Sequence, residues 1–127
     1  MREAQKYAGQ LQKELNWEIS NENYEKSRSS LLNNYMLLTT EVAEVAEEFR
    51  KAFNRTHALL EEGIDEHVAF QIAKDSIKED LGKELADCFA YMFKIANFFE
   101  LDMEVSFYSK MDEVRNRKNK DIRYTKK

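Results

Sequence analysis

The 127-residue sequence contains no proline and only three glycines, at positions 9, 63 and 82. Proteins built from short strands need a turn roughly every 8–12 residues, and glycine and proline are the residues that most readily form such turns. Three glycines cannot supply turns at that frequency over a chain of this length. The sequence therefore predicts an all-α fold.

Apolar residues recur at helical spacing in four stretches of the chain, and each stretch predicts an amphipathic helix. The predicted helices span about 3–19, 30–53, 76–100 and 103–117. In the second helix the apolar residues follow one another at steps of four and three, which is typical of a seam packed against a partner helix. That seam consists of Leu31, Tyr35, Leu38, Val42, Val45 and Phe49. The seam of the third helix includes Cys88, Met92 and Phe99, which we expect to lie in the core.

Capping residues and one glycine mark the connections between these helices. Residues 20–30 are polar and are predicted to form a loop. Gly63 ends a short helix that is predicted over 56–62. Asp65 caps a further helical run, and Asp102 is the predicted N-cap of the last helix. The spacing leaves open whether the run after Asp65 continues into the third helix.

The net charge of −4 conceals an acidic body and a basic end. From Lys110 onward the chain carries eight basic and three acidic residues, whereas residues 1–109 carry 12 basic and 21 acidic ones. This distribution suits a protein that binds a cation together with a polyanion such as a phosphate chain, although an ordinary solvated tail explains it equally well. The acidic body disfavours nucleic-acid binding through the basic tail at 118–127.

The length suits a single helical domain. The single cysteine, Cys88, excludes an internal disulfide, and neither a secretory signal nor an apolar run long enough to span a membrane is visible. We therefore expect a cytoplasmic protein without a membrane partner. His57 and His67 have no acid or nucleophile pattern around them and are expected at the surface.

The second and third helices each carry a pair of acidic residues three positions apart, Glu41 with Glu44 and Glu84 with Asp87. At about 100° per residue, the members of each pair lie at about 300° and about 240° from a leucine of the seam. The two pairs therefore occupy the same shoulder of their helices. If the helices pack antiparallel, the four carboxylates converge beside the core.

Converging carboxylates need a cation, because carboxylates within about 4–6 Å of one another repel and raise each other's pKa. A site made only of carboxylate oxygens favours Mg²⁺ or Mn²⁺ over zinc. Glu48 lies on the same shoulder as a candidate further ligand or proton acceptor. The alternative is that the acids are exposed rim positions in ordinary i,i+4 pairs, such as Glu47 with Lys51.

The acidic pairs lie in two longer stretches, LLTTEVAEVAEEF and KELADCFAYMFKIANFFELDMEVSFYSKMDEVRNR. Together these stretches resemble the MazG-like nucleotide pyrophosphohydrolases, including dCTP pyrophosphatases, over about 37–117. The resemblance implies a bundle of four to five helices that forms homo-dimers or tetramers. It also implies Mg²⁺-dependent hydrolysis of nucleoside triphosphates to the monophosphate and pyrophosphate, a reaction that cleans the nucleotide pool. Glu41, Glu44, Glu84 and Asp87 match the family's catalytic metal ligands.

The resemblance further suggests residues that bind the substrate. Trp17 is expected to stack on a base or to pack on the loop after it, and Tyr91 to line the sugar pocket or to bond a ligand carboxylate. Lys110, in SKMD, is a candidate for the β and γ phosphates. The other phosphate candidates near the C-terminus are Asn116, Arg117 and Arg123, with Arg115, Asn119 and Tyr124 as alternatives.

The chain departs from the family in three places, one of which is RYT at 123–125, where relatives often end in Arg-Tyr-Pro. Thirty-nine residues separate Glu44 from Glu84, more than the family's usual gap, which predicts an inserted helical segment at about 54–75. Val114 stands where relatives often carry asparagine. Two alternatives therefore stay open: a specificity like that of the dimeric dUTPases or of phosphoribosyl-ATP hydrolases on the same scaffold, and a non-catalytic helical oligomerisation module.

Overall fold

A computed structural model describes the backbone of residues 1–125 and the side chains of residues 1–117. Over residues 1–125 the chain forms four helices and no strand, so the all-α prediction is confirmed. The helices are α1 (Arg2–Glu14), α2 (Tyr24–Glu61), α3 (Glu66–Phe98) and α4 (Met103–Thr125). None of them, within the described part of the chain, has the length and apolar character needed to cross a membrane.

The helices belong to two compact units. One unit contains residues 1–19 together with the chain from Phe93 onward, and the other contains Ser20–Met92. The second unit is a pair of long helices, α2 and most of α3, joined by the short connection at 62–65. Its buried core includes Ala52 from α2 and Ala73 and Ile77 from α3, a pairing that requires the two helices to run antiparallel.

The first turns of α2 correct the loop predicted at 20–30. The helix begins at Tyr24, because the side chain of Asn23 caps it and accepts a hydrogen bond from the backbone amide of Lys26 at 2.9 Å. The hydroxyl of Ser27 donates to the carbonyl oxygen of Ser20 at 2.7 Å and fixes the approach to the helix. Polar composition alone therefore does not exclude a helix where a cap is present.

Both helices of the second unit are longer than the sequence pattern indicates. The helices predicted at 30–53 and 56–62 are parts of the single helix α2, and the run after Asp65 is continuous with the third predicted helix. Asp65 caps α3 as expected, through a 3.4 Å contact from the amide of Val68. The segment at 54–75, expected to be an inserted helical segment, consists of the end of α2, the connection and the start of α3, and neither 54–61 nor 66–75 contains a glycine or proline that would interrupt a helix.

The α2–α3 contact lies beside the apolar seam of α2 and not along it. The buried residues of α2 are Asn34, Glu48, Ala52 and Leu59, which fall at about 280–320° from Leu38, whereas the seam extends from about 340° through 0° to about 60°. On α3, Ala69 and Ala73 have no exposed surface. Because alanines are small, the two helices approach most closely along these rows of buried residues. The row on α2 includes two polar residues, Asn34 and Glu48, which are therefore buried.

Exposed apolar residues on the seam side of both helices consequently form an uncovered face on the second unit, whereas Leu31, Leu38 and Val45 of the seam are half-buried. The exposed fractions of the residues in this face range from 37% at Met92 to 57% at Tyr35. We call this surface the apolar face; it consists of Tyr35, Val42, Phe49, Phe53, Phe70, Leu85 and Met92. Cys88 is buried as expected, but the prediction that Met92 and Phe99 belong to the core is wrong for the single chain, since Phe99 is 54% exposed.

The first unit is held together by polar contacts around Gln5. Its side-chain amide donates to the side-chain oxygen of Asn97 at 2.9 Å and to the carbonyl of Leu101 at 2.7 Å, and its oxygen accepts from the amide of Met103 at 3.0 Å. Asp102 caps α4 as predicted. The amide of Val105, and after it the guanidinium of Arg2, hold the pKa of Asp102 below its usual value.

Two helix ends in this unit differ from the prediction. α1 ends at Glu14 and not near 19, because Asn16 adopts a left-handed conformation at φ 57° and the amide of Trp17 turns back to the carbonyl of Gln12 at 2.7 Å. α4 continues to Thr125, beyond the end near 117 that the apolar spacing predicts, and this segment contains no glycine or proline.

Glycine-to-alanine substitutions at positions 63 and 82 are expected to change stability in opposite directions. Gly63 ends α2 with φ +87°, so an alanine there is strained and should cost about 1 kcal/mol. Gly82 lies inside α3 with open space where a Cβ would stand, so Gly82→Ala should stabilise by about 0.5–1 kcal/mol. Urea unfolding of both variants measures the difference, and equal shifts of the same sign would contradict these backbone assignments.

Candidate metal centre

Three carboxylates meet across the α2–α3 contact. Glu41 of α2 and Glu84 and Asp87 of α3 each offer an oxygen, and these oxygens all lie within 4.8 Å of one another. Glu41 and Glu84 are half-buried, whereas Asp87 is exposed. The i,i+3 spacing in α3 and the antiparallel pairing with α2 produce this arrangement, as the sequence predicts.

Glu44, the fourth predicted ligand, is exposed and lies outside this group of three. It is nevertheless close enough for its charge to raise the pKa of Glu84. The main causes of that raised pKa are the partial burial of Glu84 and the charges of Glu41 and Asp87, and a hydrogen bond with Glu41 adds to them. The structure thus brings three of the four predicted ligands together and places the fourth beside them.

Cys88 lies buried next to these carboxylates. Burial is the first cause of its raised pKa, and the charges of Glu41 and Asp87 raise the pKa further. A thiol whose pKa lies above the usual value is protonated at neutral pH and is therefore a poor ligand or nucleophile. The donor atoms available at this site are carboxylate oxygens.

Glu48 and Lys51 extend the acidic site along α2. Glu48 is only 5% exposed, and its Oε2 accepts a hydrogen bond from the ammonium of Lys51 at 2.9 Å. Its Oε1 is buried without a hydrogen-bond partner. The hydrogen bond to Glu48 raises the pKa of Lys51, and the charges of Glu48, Asp80 and Glu84 raise it further.

The pairing of Lys51 corrects one expectation. Glu47, which the i,i+4 rule pairs with Lys51, contacts Arg50 at 3.2 Å and is half exposed. Sequence reasoning missed the burial of Glu48 because helical angles do not show which side of a helix meets its neighbour. Ala52, one turn further along α2, lies on the same buried side, but the alanines at 43 and 46 are exposed, so alanine alone does not mark that side in the sequence.

The predicted substrate residues are distributed over both units. Tyr91 is half-buried on α3, one turn after Asp87, in the same unit as the carboxylates. Trp17, in the other unit, is 58% exposed and lies in the turn after α1 and not on a helix as predicted. The histidines at 57 and 67 are exposed, as expected.

The described phosphate candidates lie on α4. Lys110 and Arg117 both contact the carboxylate of Glu113, at 3.1 Å and 3.7 Å. Asn116, between them in sequence, is exposed. The side chain of Arg123 lies outside the described residues.

Comparison of the chain with protein-family models, with curated proteins and with solved structures gives no match.

Proposed function

We propose that this protein is a Mg²⁺-dependent hydrolase of the MazG-like type that cleaves nucleoside triphosphates to the monophosphate and pyrophosphate and so cleans the cytoplasmic nucleotide pool. The observation that carries the proposal is the convergence of oxygens from Glu41, Glu84 and Asp87 within 4.8 Å. Carboxylates this close are unfavourable together unless a cation neutralises them. A role as exposed rim charges leaves the half-burial of Glu41 and Glu84 unexplained.

The donor set fits Mg²⁺, with Mn²⁺ as a second possibility, because both are hard ions that take oxygen ligands. Glu41, Glu84 and Asp87 would hold the ion, and Glu44 lies beside them to complete the set. Bound Mg²⁺ neutralises charge on phosphate oxygens and lowers the pKa of a coordinated water. Mg²⁺ usually keeps several waters and takes phosphate oxygens as further ligands, which suits a site with few protein donors.

Other side chains of the chain are proposed to bind the rest of the substrate. Tyr91 lies one turn from Asp87, where it is proposed to line the sugar pocket or to form a hydrogen bond with a carboxylate that binds the metal. Trp17 presents an exposed ring on which a base can stack. Lys110, Asn116, Arg117 and Arg123 are the proposed phosphate ligands. A phosphate chain carries more negative charge than the single carboxylate of Glu113, which contacts both Lys110 and Arg117, and can therefore replace it as their partner.

A second copy of the chain is proposed to cover the apolar face. The face follows α3 from Phe70 to Met92, about 33 Å at 1.5 Å per residue, and is about 20 Å wide across two helices. Its area is therefore on the order of 650 Å², which approaches the roughly 800 Å² per partner of a standard interface. Within it, Phe49, Phe53 and Phe70 line a groove of about 420 Å³. Apolar seams on two antiparallel helices are complementary to a second such pair, as in four-helix bundles.

The substrate class is tested by following product release from a panel of nucleoside and deoxynucleoside triphosphates, including oxidised bases, with Mg²⁺. Release of pyrophosphate supports the proposal. Release of orthophosphate instead would place the attack at a different phosphorus. A protein that turns over none of the panel and whose melting temperature does not respond to Mg²⁺ would be the non-catalytic module.

Metal binding is expected to weaken as the pH falls. Protons compete with Mg²⁺ for the carboxylate oxygens, and because the pKa of Glu84 is raised, that competition starts at a higher pH than for an ordinary glutamate. The folded metal-free protein binds this proton more tightly than the unfolded chain does, so its own stability should rise over the same fall in pH. Calorimetric Mg²⁺ titrations and thermal melts from neutrality towards the usual glutamate pKa measure both trends. Affinity that does not change with pH would contradict them.

A further inference from the structure

Two lysines of the second unit form ion pairs beside the candidate metal centre without neutralising it. Lys51 of α2 contacts Glu48 at 2.9 Å. Lys83 of α3 contacts Glu79 at 3.8 Å. Among the described residues these are the only ion pairs of the two lysines, so neither ammonium pairs with a carboxylate of the metal centre. Their side chains are 62% and 71% exposed, which leaves both able to contact a ligand.

Both lysines lie on the side of the helix pair where the metal centre is open to solvent. The exposed acids of the site, Glu44 and Asp87, lie at about 240° from a leucine of the seam of their own helix. On the same scale Lys51 lies at about 220° and Lys83 at about 200°. The apolar face lies at about 340–60°, on the other side of the α2–α3 contact. A second copy that covers the apolar face therefore leaves the two lysines accessible.

The two ammonium groups lie at the same height along the helix pair. Ala52 of α2 packs against Ala73 and Ile77 of α3. One turn back along α2 is Glu48. Because the helices are antiparallel, the same step leads forward along α3 to residues 77–81, with Glu79 in the middle. The acids that hold the two ammonium groups are therefore level with each other, one on each helix.

This height places the ammonium groups beyond one end of the metal centre. Glu41 precedes Glu48 by seven residues, which is about 10 Å along α2. A phosphate chain that is held at the carboxylates and extends along the open side of the pair therefore reaches an ammonium on each helix.

We propose that Lys51 and Lys83 bind the phosphate chain of the substrate, one from each helix, at the end away from the carboxylates. An ammonium is a compact point charge that binds phosphate oxygens. Lys51 has three N–H donors and is able to keep its bond to the buried Glu48 while it donates to phosphate. Glu79 is 86% exposed, so Lys83 loses little when a phosphate replaces it. The inference rests on the proposed function and adds phosphate ligands in the same unit as the carboxylates.

The test is the affinity of the full chain for inorganic pyrophosphate at saturating Mg²⁺, measured by calorimetry. Lys51→Gln and Lys83→Gln are each expected to raise the dissociation constant about tenfold, because each removes one charge-assisted hydrogen bond to phosphate. The affinity for Mn²⁺ in the absence of pyrophosphate should change by less than about threefold in both variants, since neither lysine pairs with the carboxylates of the metal centre.

Arg50→Gln is the matched control. Arg50 is the neighbour of Lys51 in sequence and forms the same kind of i,i+3 ion pair, with Glu47 at 3.2 Å. It lies at about 120° from Leu38 and so points away from the open side of the metal centre. The variant loses the same charge and should bind pyrophosphate as tightly as wild type.

The outcomes separate this inference from the proposed function. Unchanged pyrophosphate affinity in either folded lysine variant, or a wild type that binds Mn²⁺ but no pyrophosphate, would overturn the inference and leave the metal centre intact. An equal loss in Arg50→Gln would show general attraction of an anion and would also overturn it. A wild type that binds neither ligand would overturn both proposals. Lys51→Gln leaves Glu48 buried without a cation, so circular dichroism establishes whether it folds; if it does not, Lys83→Gln decides the test alone.

Discussion

Replacing Glu84 with glutamine is expected to abolish the rise in melting temperature that Mg²⁺ produces and to lower kcat/KM for pyrophosphate release by about 10²–10³-fold. Glu84 is the residue on which the other acids of the site converge: Glu41, Asp87 and Glu44 all raise its pKa. A glutamine has nearly the same shape but brings no charge to the cation. The loss therefore reports the charge of this side chain and not its packing.

The metal-free Glu84→Gln protein should melt at a higher temperature than metal-free wild type, because removing one charge relieves repulsion among the remaining carboxylates. Glu47→Gln is the matched control: it removes the same charge one turn from Glu44, at a side chain that contacts only Arg50 among the ion pairs observed. We expect it to keep both activity and the response to Mg²⁺. A Glu84→Gln protein that still gains stability from Mg²⁺ would exclude Glu84 as a ligand.

The convergence of the acids was predictable because helical periodicity fixes the angle between residues on one helix. Glu41, Glu84 and Asp87 needed only this periodicity and an antiparallel partner. Caps were predictable for a related reason, since Asp65 and Asp102 bond to amides two or three positions away. The spacing of the acids within each helix and the caps depend on residues that are close together in sequence, and the convergence of the acids needs in addition only the antiparallel pairing of the two helices.

Features that depend on the approach of two helices were not predictable in this way. Glu48 is buried and Met92 is exposed because Ala52, Ala69 and Ala73 draw the helices together beside the apolar seam. Trp17 left the predicted helix because Asn16 tolerates a left-handed conformation, which the apolar spacing of residues 3–19 does not reveal. Three small residues in the first case and one permissive residue in the second outweighed a regular apolar pattern.

The uncovered apolar face leads to the second large effect. Wild-type protein is expected to sediment at twice the 15.1 kDa chain mass or more, and Phe53→Glu at the mass of one chain. Phe53 is 55% exposed, lines the groove on this face and lies three turns beyond Glu41 on α2, away from the carboxylates. Burying an ionised carboxylate in an apolar interface costs several kcal/mol per copy, which raises the dissociation constant by about 10³-fold or more.

Met36→Glu provides the control for this substitution. Met36 is 63% exposed on the same helix, but it lies at about 160° from Leu38 and so outside the apolar face. The Met36→Glu substitution should leave the association unchanged. The melting temperatures of the wild type and of Met36→Glu should therefore rise with protein concentration, whereas the melting temperature of Phe53→Glu should not. Wild-type protein that sediments as one chain at high micromolar concentration would show that something other than a second copy covers the face. Loss of association in Met36→Glu as well would place the contact elsewhere on α2.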